Sequence, residues 1–598
     1  MRFEFWMLLV ATTLALGCTD GGNGSPPCVD NDLDGYGDFC ALGLDCDDAD
    51  IDNWASCDSC VDTDGDSHFV GCDAFTTRLG PDCDPADGST FIGAAAIEGP
   101  SACMTDGDGD GYGSTVAPMD GIAGTDCDDV DPNSFVTCDG SCQDADGDSF
   151  YVGCDAYASV EGPDCDDTDP YVSPGEPELA DDAIDNDCDG SDLVAAMGPG
   201  VYVDNGNVSC TDSGEGSQST PYCSLAPAIY DASVSTSNVF VTGGDYAVSN
   251  VRTSGSIPLR IYGGYDALWN RDLDSEVTNI DTEGAPSTVG LSCSQPVCII
   301  DGVHVSRVNP AAINYGDVVF YVEEFGAFTR STLTVETGDQ FHFSIGTPED
   351  NASISRAVVR DVDVRSTGRT PVVIGQLDYI TLENSRISTE YASTSSVSLS
   401  VLNGNRVALR NNALHASGNG QVYLVELNGT DAISDVVNNS FSAPAGSFSA
   451  ALRVRNHAEL RLVNNAMEAG TPVSILTFAA APTPQLTLRN NMMGDAAGVS
   501  TLSQFLFTTE GEYFDAAEIN GCTACFDTGG NVDGDPEFPD PRGGDFSLSA
   551  GSPGIDGGVD PAAFVDWQSF AVDIDGFPRP VDGDGSLTAE WDIGAQEN

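Results

Sequence analysis

The sequence predicts an all-β chain in two parts: a disulfide-rich, irregular repeat module over residues 28–192, then a right-handed parallel β-helix over residues 200–598. Three observations predict it. Cysteine and aspartate crowd the first part, where residues 1–192 hold 46 acids against only Arg2 and Arg78. After Asp192 the composition shifts to valine, serine, threonine and asparagine in short alternating stretches, a strand pattern without helical periodicity. Finally, an asparagine recurs every 26 or 27 residues from Asn384 to Asn490, one for each coil of a stacked fold.

Composition narrows the function classes. The 598 residues carry 96 acids, 20 arginines and no lysine, for a net charge of −76. Such a surface repels phosphate backbones and anionic lipid headgroups, which argues against nucleic-acid binding and peripheral membrane docking. Without lysine there is no Schiff-base chemistry and no Walker-type phosphate loop. Cations, neutral polymers and sugars remain.

At the N-terminus Arg2 precedes FWMLLVATTLAL, an apolar run of signal-peptide length and too short to span a bilayer. It ends at Gly17-Cys18, followed by the loose segment TDGGNGSPP. This arrangement resembles a bacterial lipoprotein signal. The resemblance implies that residues 1–18 form the signal segment, that Cys18 is acylated and becomes the mature N-terminus, that residues 19–27 are a flexible tether, and that Thr19 favours the outer membrane. An ordinary secretory signal cleaved nearby is the alternative. Either reading takes the protein out of the cytoplasm.

Export accounts for the cysteines. Setting Cys18 aside, 20 of the 21 remain, an even number that suits an oxidising compartment. Fourteen lie between Cys28 and Cys188, and the other six form close pairs, Cys210 with Cys223, Cys293 with Cys298 and Cys522 with Cys525, expected to be local disulfides. Zinc is the competing reading for the C-x-x-C pairs Cys57/Cys60 and Cys522/Cys525, but no histidine stands at ligand spacing.

The module is internally repeated. CVDTDGDSHFVGCDAFTTRLGPDCD, starting at Cys60, returns 82 residues later as CQDADGDSFYVGCDAYASVEGPDCD, and each copy follows a looser first half, so there are four acidic loops. They place carboxylates at alternate positions: Asp30, Asp32 and Asp34; Asp62, Asp64 and Asp66; Asp106, Asp108 and Asp110; Asp144, Asp146 and Asp148. Like charges this dense call for a counter-ion, and calcium, which takes six to eight oxygens at flexible angles, fits a D-x-D-x-D-G turn. Ala41 occupies the twelfth position of the first loop, so these are not EF-hands. Serine follows the third aspartate in loops two and four and their glycine comes early, so a different loop geometry is expected there. Each loop is followed by a second acidic knot that supplies further ligands: Asp45, Asp47 and Asp48; Asp82 and Asp84; Asp126, Asp128 and Asp129; Asp164, Asp166 and Asp167.

This layout, ending in PGEPELADDAIDNDCDG, resembles thrombospondin type 3 calcium repeats and related repeats of myxobacterial-type surface proteins. The resemblance implies that several structural calcium ions and disulfides supply most of the order. Copper binding, a property of one relative, meets only His68 here and is not carried over.

In the second part, ITLENS, VALRNN, VVNN, LRLVNN and LTLRNN align Asn384, Asn411, Asn438, Asn464 and Asn490. With coils about 4.8 Å apart, these asparagines are expected to form an amide ladder at a left-handed turn, with Asp361 continuing it upward. VYVDNGNVSCTDSGEGSQSTPYCSLAPAIYDAS resembles the opening of pectate-lyase-type β-helix domains, which implies an N-terminal cap over residues 200–245 with one helix near Leu225 to Ala232. DPEFPDPRGGDFSLSAGSPGIDGG and DIGAQE resemble the closing segment of bacterial surface β-helix proteins, placing it at residues 535–598. About twelve rungs are expected between residues 240 and 545.

The fold fixes no activity. The residue before each ladder position forms an outward column, Arg360, Glu383, Arg410, Val437, Val463 and Arg489, whose upper part reads as a surface salt ladder. Polysaccharide lyases of this fold pair acidic calcium ligands with a basic residue, which makes Asp361, Asp363 and Arg365 the catalytic candidates. The sequence thus supports an exported, lipid-anchored calcium-binding protein with a glycan-binding or adhesive face. The alternatives are a polysaccharide lyase or glycoside hydrolase and a purely structural envelope component.

Overall fold

The computed structural model describes residues 26–598 except 138–139, 141, 145–147, 168–171, 175, 177, 180–183, 194–198, 236–237, 283–289, 308–317, 336–342, 347–354, 368–370, 392–394, 403, 419–420, 444–447, 470, 477–484, 495–505, 508–511, 514, 523–524, 565–571, 582–588 and 598. Residues 1–25, with the expected signal segment and Cys18, lie outside the described residues. The chain divides into two compact units, Met1–Gln143 with Tyr151–Pro163, and Asp144–Phe150 with Asp164–Asn598. The division runs through the second copy of the acidic repeat, so the fourth loop and the end of the module belong with the β-rich unit.

The larger unit is a parallel β-solenoid with three faces. On one face eleven strands stack in parallel from Gly244–Ala247 to Val532–Asp533. A second column climbs from Val201–Val203 through Arg356–Arg360, Tyr379–Glu383 and Arg406–Arg410 to Asp527–Gly529. A third runs from Val251–Ser254 through Val372–Gly375 to Leu506–Phe507. Period-two alternation turns one apolar residue of each strand inward. In register, Val359, Leu382, Leu409, Val436, Leu462 and Leu488 form one buried stack, and Val305, Leu333, Val364, Ile387, Leu414, Phe441, Met467 and Met493 another. Helix Leu225–Ser235 covers the first coil with Leu225, Ala228, Ile229 and Ala232, as the N-terminal cap requires to protect open strand edges. The three close cysteine pairs are disulfides: Cys210–Cys223, Cys293–Cys298 and Cys522–Cys525.

The asparagine column is left-handed as expected, with φ of 46° at Asn384, 54° at Asn411, 53° at Asn438, 55° at Asn464 and 49° at Asn490, and 54° at Asp361. One step of the expected ladder is present in this column, Asn411 with Asn384 at 2.7 Å, but the continuous amide ladder belongs to the next residue. Asn412, Asn439, Asn465 and Asn491 each donate a backbone N–H and a side-chain N–H to the Oδ1 one coil below, at 2.9–3.1 Å, ending on Asn531. Each side chain from Asn412 to Asn531 also donates to a carbonyl of the coil above, from Leu382 to Leu488. The physical reason is direction. The left-handed residue turns the chain outward, so its successor points into the corner, where a short amide satisfies backbone groups that water does not reach.

The last coil is closed by the antiparallel pair Leu506–Phe507 and Glu512–Tyr513 and by helix Ala516–Asn520, whose Asn520 side chain accepts from Asn531 at 2.7 Å. The described residues of 535–598 instead fold back along the flank of the solenoid. Val559 exchanges hydrogen bonds with Asn464 at 2.6 and 3.0 Å, and Asn490 donates to Gly557 O at 2.9 Å. Phe538, Phe546, Leu548, Ile574 and Ile593 cover Ala413, Ala466 and Met492, while Val559 and Phe564 cover Val437 and Val463. The two valines that interrupt the outward charge column are therefore contact positions. Arg386 pairs with Asp575 and Arg542 with Glu390, which mark the upper limit of the covered strip.

The smaller unit has little regular structure: its two described strands, Thr90–Ile92 and Cys103–Thr105, pair antiparallel. Disulfides Cys28–Cys40, Cys46–Cys57, Cys60–Cys72, Cys83–Cys103 and Cys142–Cys154 hold the turns, so neither C-x-x-C pair offers a thiolate to zinc. Asp73 and Asp155, 82 residues apart, do the same work in each copy. Asp73 accepts from the N–H groups of Trp54, Ala55 and Ser56, and Asp155 from those of Phe135, Val136 and Thr137.

Candidate metal centres

Each acidic loop is a turn closed by its own first carboxylate. Asp30 accepts from Leu33 N–H at 2.7 Å and from Gly35 N–H at 3.0 Å, and Asp106 from Gly109 and Gly111 at the same two distances. Asp62 does so from Gly65 at 2.7 Å and Ser67 at 3.2 Å. The donors at both positions need a left-handed backbone: φ is 72° and 96° at Leu33 and Gly35, 91° and 75° at Gly65 and Ser67, and 82° and 95° at Gly109 and Gly111.

The expectation that loops two and four differ in geometry is thus corrected. Ser67 and Ser149, with φ of 75° and 83°, adopt the conformation that glycine takes elsewhere, and Ser149 N–H donates to Asp144 Oδ2 at 3.1 Å. In loop two the early Gly65, at φ 91°, serves the other left-handed position; Gly147 of loop four lies outside the described residues. Leu33 is the strained residue of the first loop and is 81 % exposed, so it has little packing to lose. Leu33→Gly is expected to raise the stability of the loaded loop by about 1 kcal/mol, read as an upward shift in melting temperature.

The second and third carboxylates each keep one oxygen on a backbone N–H and leave the other facing inward. Asp32 Oδ1 accepts from Asp34 N–H at 3.2 Å and Asp34 Oδ1 from Tyr36 N–H at 2.7 Å; Asp108 and Asp110 repeat this at 3.2 and 2.7 Å. The knot then closes the set. Asp45, Asp82, Asp126 and Asp164 accept the N–H two residues on, from Asp47, Asp84, Asp128 and Asp166, at 2.8–2.9 Å. What remains is a triplet of buried oxygens without a hydrogen-bond partner: Oδ2 of Asp32, Asp34 and Asp45 in the first centre, and of Asp108, Asp110 and Asp126 in the third. In the second centre Oδ2 of Asp64 and Asp82 are of this kind, and Asp66 Oδ2 lies 3.4 Å from His68 Nδ1. In the fourth, Asp164 Oδ2 stands near Asp148, and Asp146 lies outside the described residues.

Electrostatics mark these oxygens as mutually repelling. Burial, reinforced by Asp110, Asp106 and Asp129, pushes the Asp108 carboxyl up to about 6. Burial with Asp108, Asp110 and Asp129 does the same for Asp126, and burial with Asp148, Asp167 and Asp166 for Asp164, again to about 6. Asp48 and Asp129 have another task. They accept from the loop backbones at Asn31 and Gly107, at 3.0 and 2.7 Å, and so tie knot to loop.

Sequence reasoning missed two features. Tyr36 stacks on Trp54 at 4.9 Å, His68 on Phe91 at 3.8 Å and Tyr112 on Phe135 at 4.1 Å, an aromatic clasp over each of the first three centres. Its signal was present: an aromatic stands nine residues after Asp45, Asp82 and Asp126. The second is a fifth turn, where Asp185 accepts from Asp189 and Gly190 at 3.1 and 2.8 Å, and Glu178, Asp185 and Asp187 bring carboxylate oxygens within 4.8 Å of one another. Cys165–Cys188 clamps it.

The catalytic candidates lie on the solenoid. Arg365 is held by Asp363 beside it on one strand, at 2.8 Å, while Asp361 occupies the left-handed turn and Arg360 pairs with Glu383. Two ion pairs, Arg365 with Asp363 and Arg360 with the buried Glu383, thus occupy this corner. His415 Nδ1 meets Ser442 Oγ at 3.3 Å, and Ser442 donates to Glu468 at 2.7 Å; with the serine proton given to the carboxylate, this order does not activate a nucleophile. His457 contacts Arg455 O, and His342 lies outside the described residues.

Comparison with known proteins adds one finding. Residues 164–192 match the family model Cu-binding MopE, described as a putative metal-binding motif. No curated protein and no solved structure matches the chain significantly, so neither the thrombospondin-type nor the pectate-lyase resemblance gains support there. The chain is thus a parallel β-solenoid protein that carries, at residues 164–192, a stretch similar to a putative metal-binding motif. The matched stretch contains no histidine or methionine, and both of its cysteines are in a disulfide, which leaves oxygen as its ligand chemistry.

Proposed function

We propose that this chain is an exported, lipid-anchored surface protein whose acidic module is ordered by calcium and whose solenoid binds a glycan. The observation that carries the metal reading is the recurring triplet of buried, unpartnered carboxylate oxygens. An all-oxygen set of hard donors, made by flexible turns, suits calcium rather than copper or zinc. Carboxyls held near 6 take up protons when no cation is present. Since their folded pKa lies above the ordinary 3.8, acid favours the cation-free fold, and the penalty grows as pH rises through about 6. Calcium reverses the sign. Calorimetric titration is expected to show calcium affinity falling at least tenfold from pH 7.5 to 5.0 with proton release on binding; an affinity indifferent to pH contradicts the assignment.

For the glycan reading, support comes from the upper part of the eleven-stranded face, which the described residues of 535–598 do not cover. Asp245, Asn279, His304, Thr332 and Asp363 follow one another in register, with Asp281, Ser306, Thr334 and Arg365 beside them. A strip of hydroxyl, amide and carboxylate groups at strand spacing suits the hydroxyls of a neutral polymer. Co-sedimentation with neutral polysaccharides, lost in a double Asn279→Ala, Thr334→Ala variant, is the expected result. Calcium-dependent shortening of any polymer would favour the lyase instead.

A further inference from the structure

The four loops are not chemically equal. At the position two residues after the third aspartate, loops one and three carry Tyr36 and Tyr112 and loop four Phe150, none of which has a donor atom next to Cβ. Loop two carries His68. Its ring lies flat on Phe91, centroids 3.8 Å apart and planes within 11°, which fixes the ring and leaves its edge directed at the carboxylates. Nδ1 is buried without a hydrogen-bond partner and lies 3.4 Å from Asp66 Oδ2. Asp82, only 5 % exposed, keeps an unpartnered Oδ2 and lies close enough to Asp64, Asp66 and His68 for their charges to act on it.

We infer that the second centre takes a borderline divalent transition ion, through His68 Nδ1 and the carboxylates of Asp64, Asp66 and Asp82, while its sister centres take calcium. The inference rests on the metal reading above and refines it for one loop. Two donors each about 2.1 Å from a shared ion at a tetrahedral angle lie about 3.4 Å apart, the separation found between Nδ1 and Oδ2. A neutral imidazole binds ions of the zinc class and contributes little to calcium. The metal would sit in the ring plane, so the stack on Phe91 persists. The other face of the ring plays no part.

The test uses the whole chain in excess calcium, titrated with Co2+ and followed by visible absorption, with bound calcium counted in parallel. One Co2+ per chain is expected to be retained, with absorption bands of mixed nitrogen and oxygen ligation. His68→Tyr, which installs the residue of loops one and three, is expected to weaken Co2+ at least tenfold while the calcium count holds or rises by one. Retention of Co2+ by the Tyr variant with unchanged spectrum, or no Co2+ retained beside a full calcium count, overturns the inference. A chain that binds no calcium at any loop overturns the underlying metal reading instead.

Discussion

Chelating divalent cations from the soluble chain unfolds the unit Met1–Gln143 with Tyr151–Pro163 while the solenoid keeps its own melting transition. The expected difference follows from what each unit buries. Among the described residues of the smaller unit, the buried apolar side chains are Cys60, Ala95 and Met104, against a continuous inner stack in the solenoid. A core that small does not offset chain entropy, so disulfides and ions must supply the order. An ion present at a hundredfold its Kd stabilises the fold by about 2.7 kcal/mol, and three such centres by about 8 kcal/mol, comparable to the whole stability of a small domain. Limited proteolysis with and without EGTA checks this. New cleavage confined to residues 28–143 and 151–163 is the expected pattern, and an unchanged digest would show that disulfides alone suffice.

Replacing Asn439 by alanine costs the solenoid about 3–5 kcal/mol, whereas Asn438→Gly is nearly neutral. Asn439 is fully buried, accepts from the backbone and side chain of Asn412, and donates to Leu409 O, Val437 O and Asn465 Oδ1. Its loss strands the Asn412 N–H and the Leu409 carbonyl away from water, each worth about 1–3 kcal/mol. Asn438 turns the chain at φ 53°, a conformation glycine adopts freely. Chemical denaturation of the two variants separates the ladder from the turn. Equal losses, or a larger one at Asn438, would return the ladder to the first asparagine.

The solenoid was legible because its period is written in pairs such as Asn411-Asn412, and a left-handed corner recurring every 26 or 27 residues admits few other folds. Which asparagine of the pair does the bonding was not legible, since sequence gives spacing and not direction at a corner. The loop carboxylates were readable from alternation alone. Their division of labour was not: Asp45 faces inward and Asp48 binds backbone, although both belong to one run of acids. Likewise Ser67 and Ser149 look unlike Gly35 in sequence, yet the hydrogen bonds to Asp62 and Asp144 impose the same left-handed turn. The back-folded segment 535–598 escaped because its contacts, such as Val559 with Asn464, span 95 residues and follow no period.

The most direct test of the central claim is a count of bound calcium at saturation for the chain and for Asp126→Asn. Asp126 is 1 % exposed and its inward oxygen has no other partner, so the variant should bind one ion fewer with the remaining sites intact. An unchanged count would contradict the assignment of the knot aspartates as ligands.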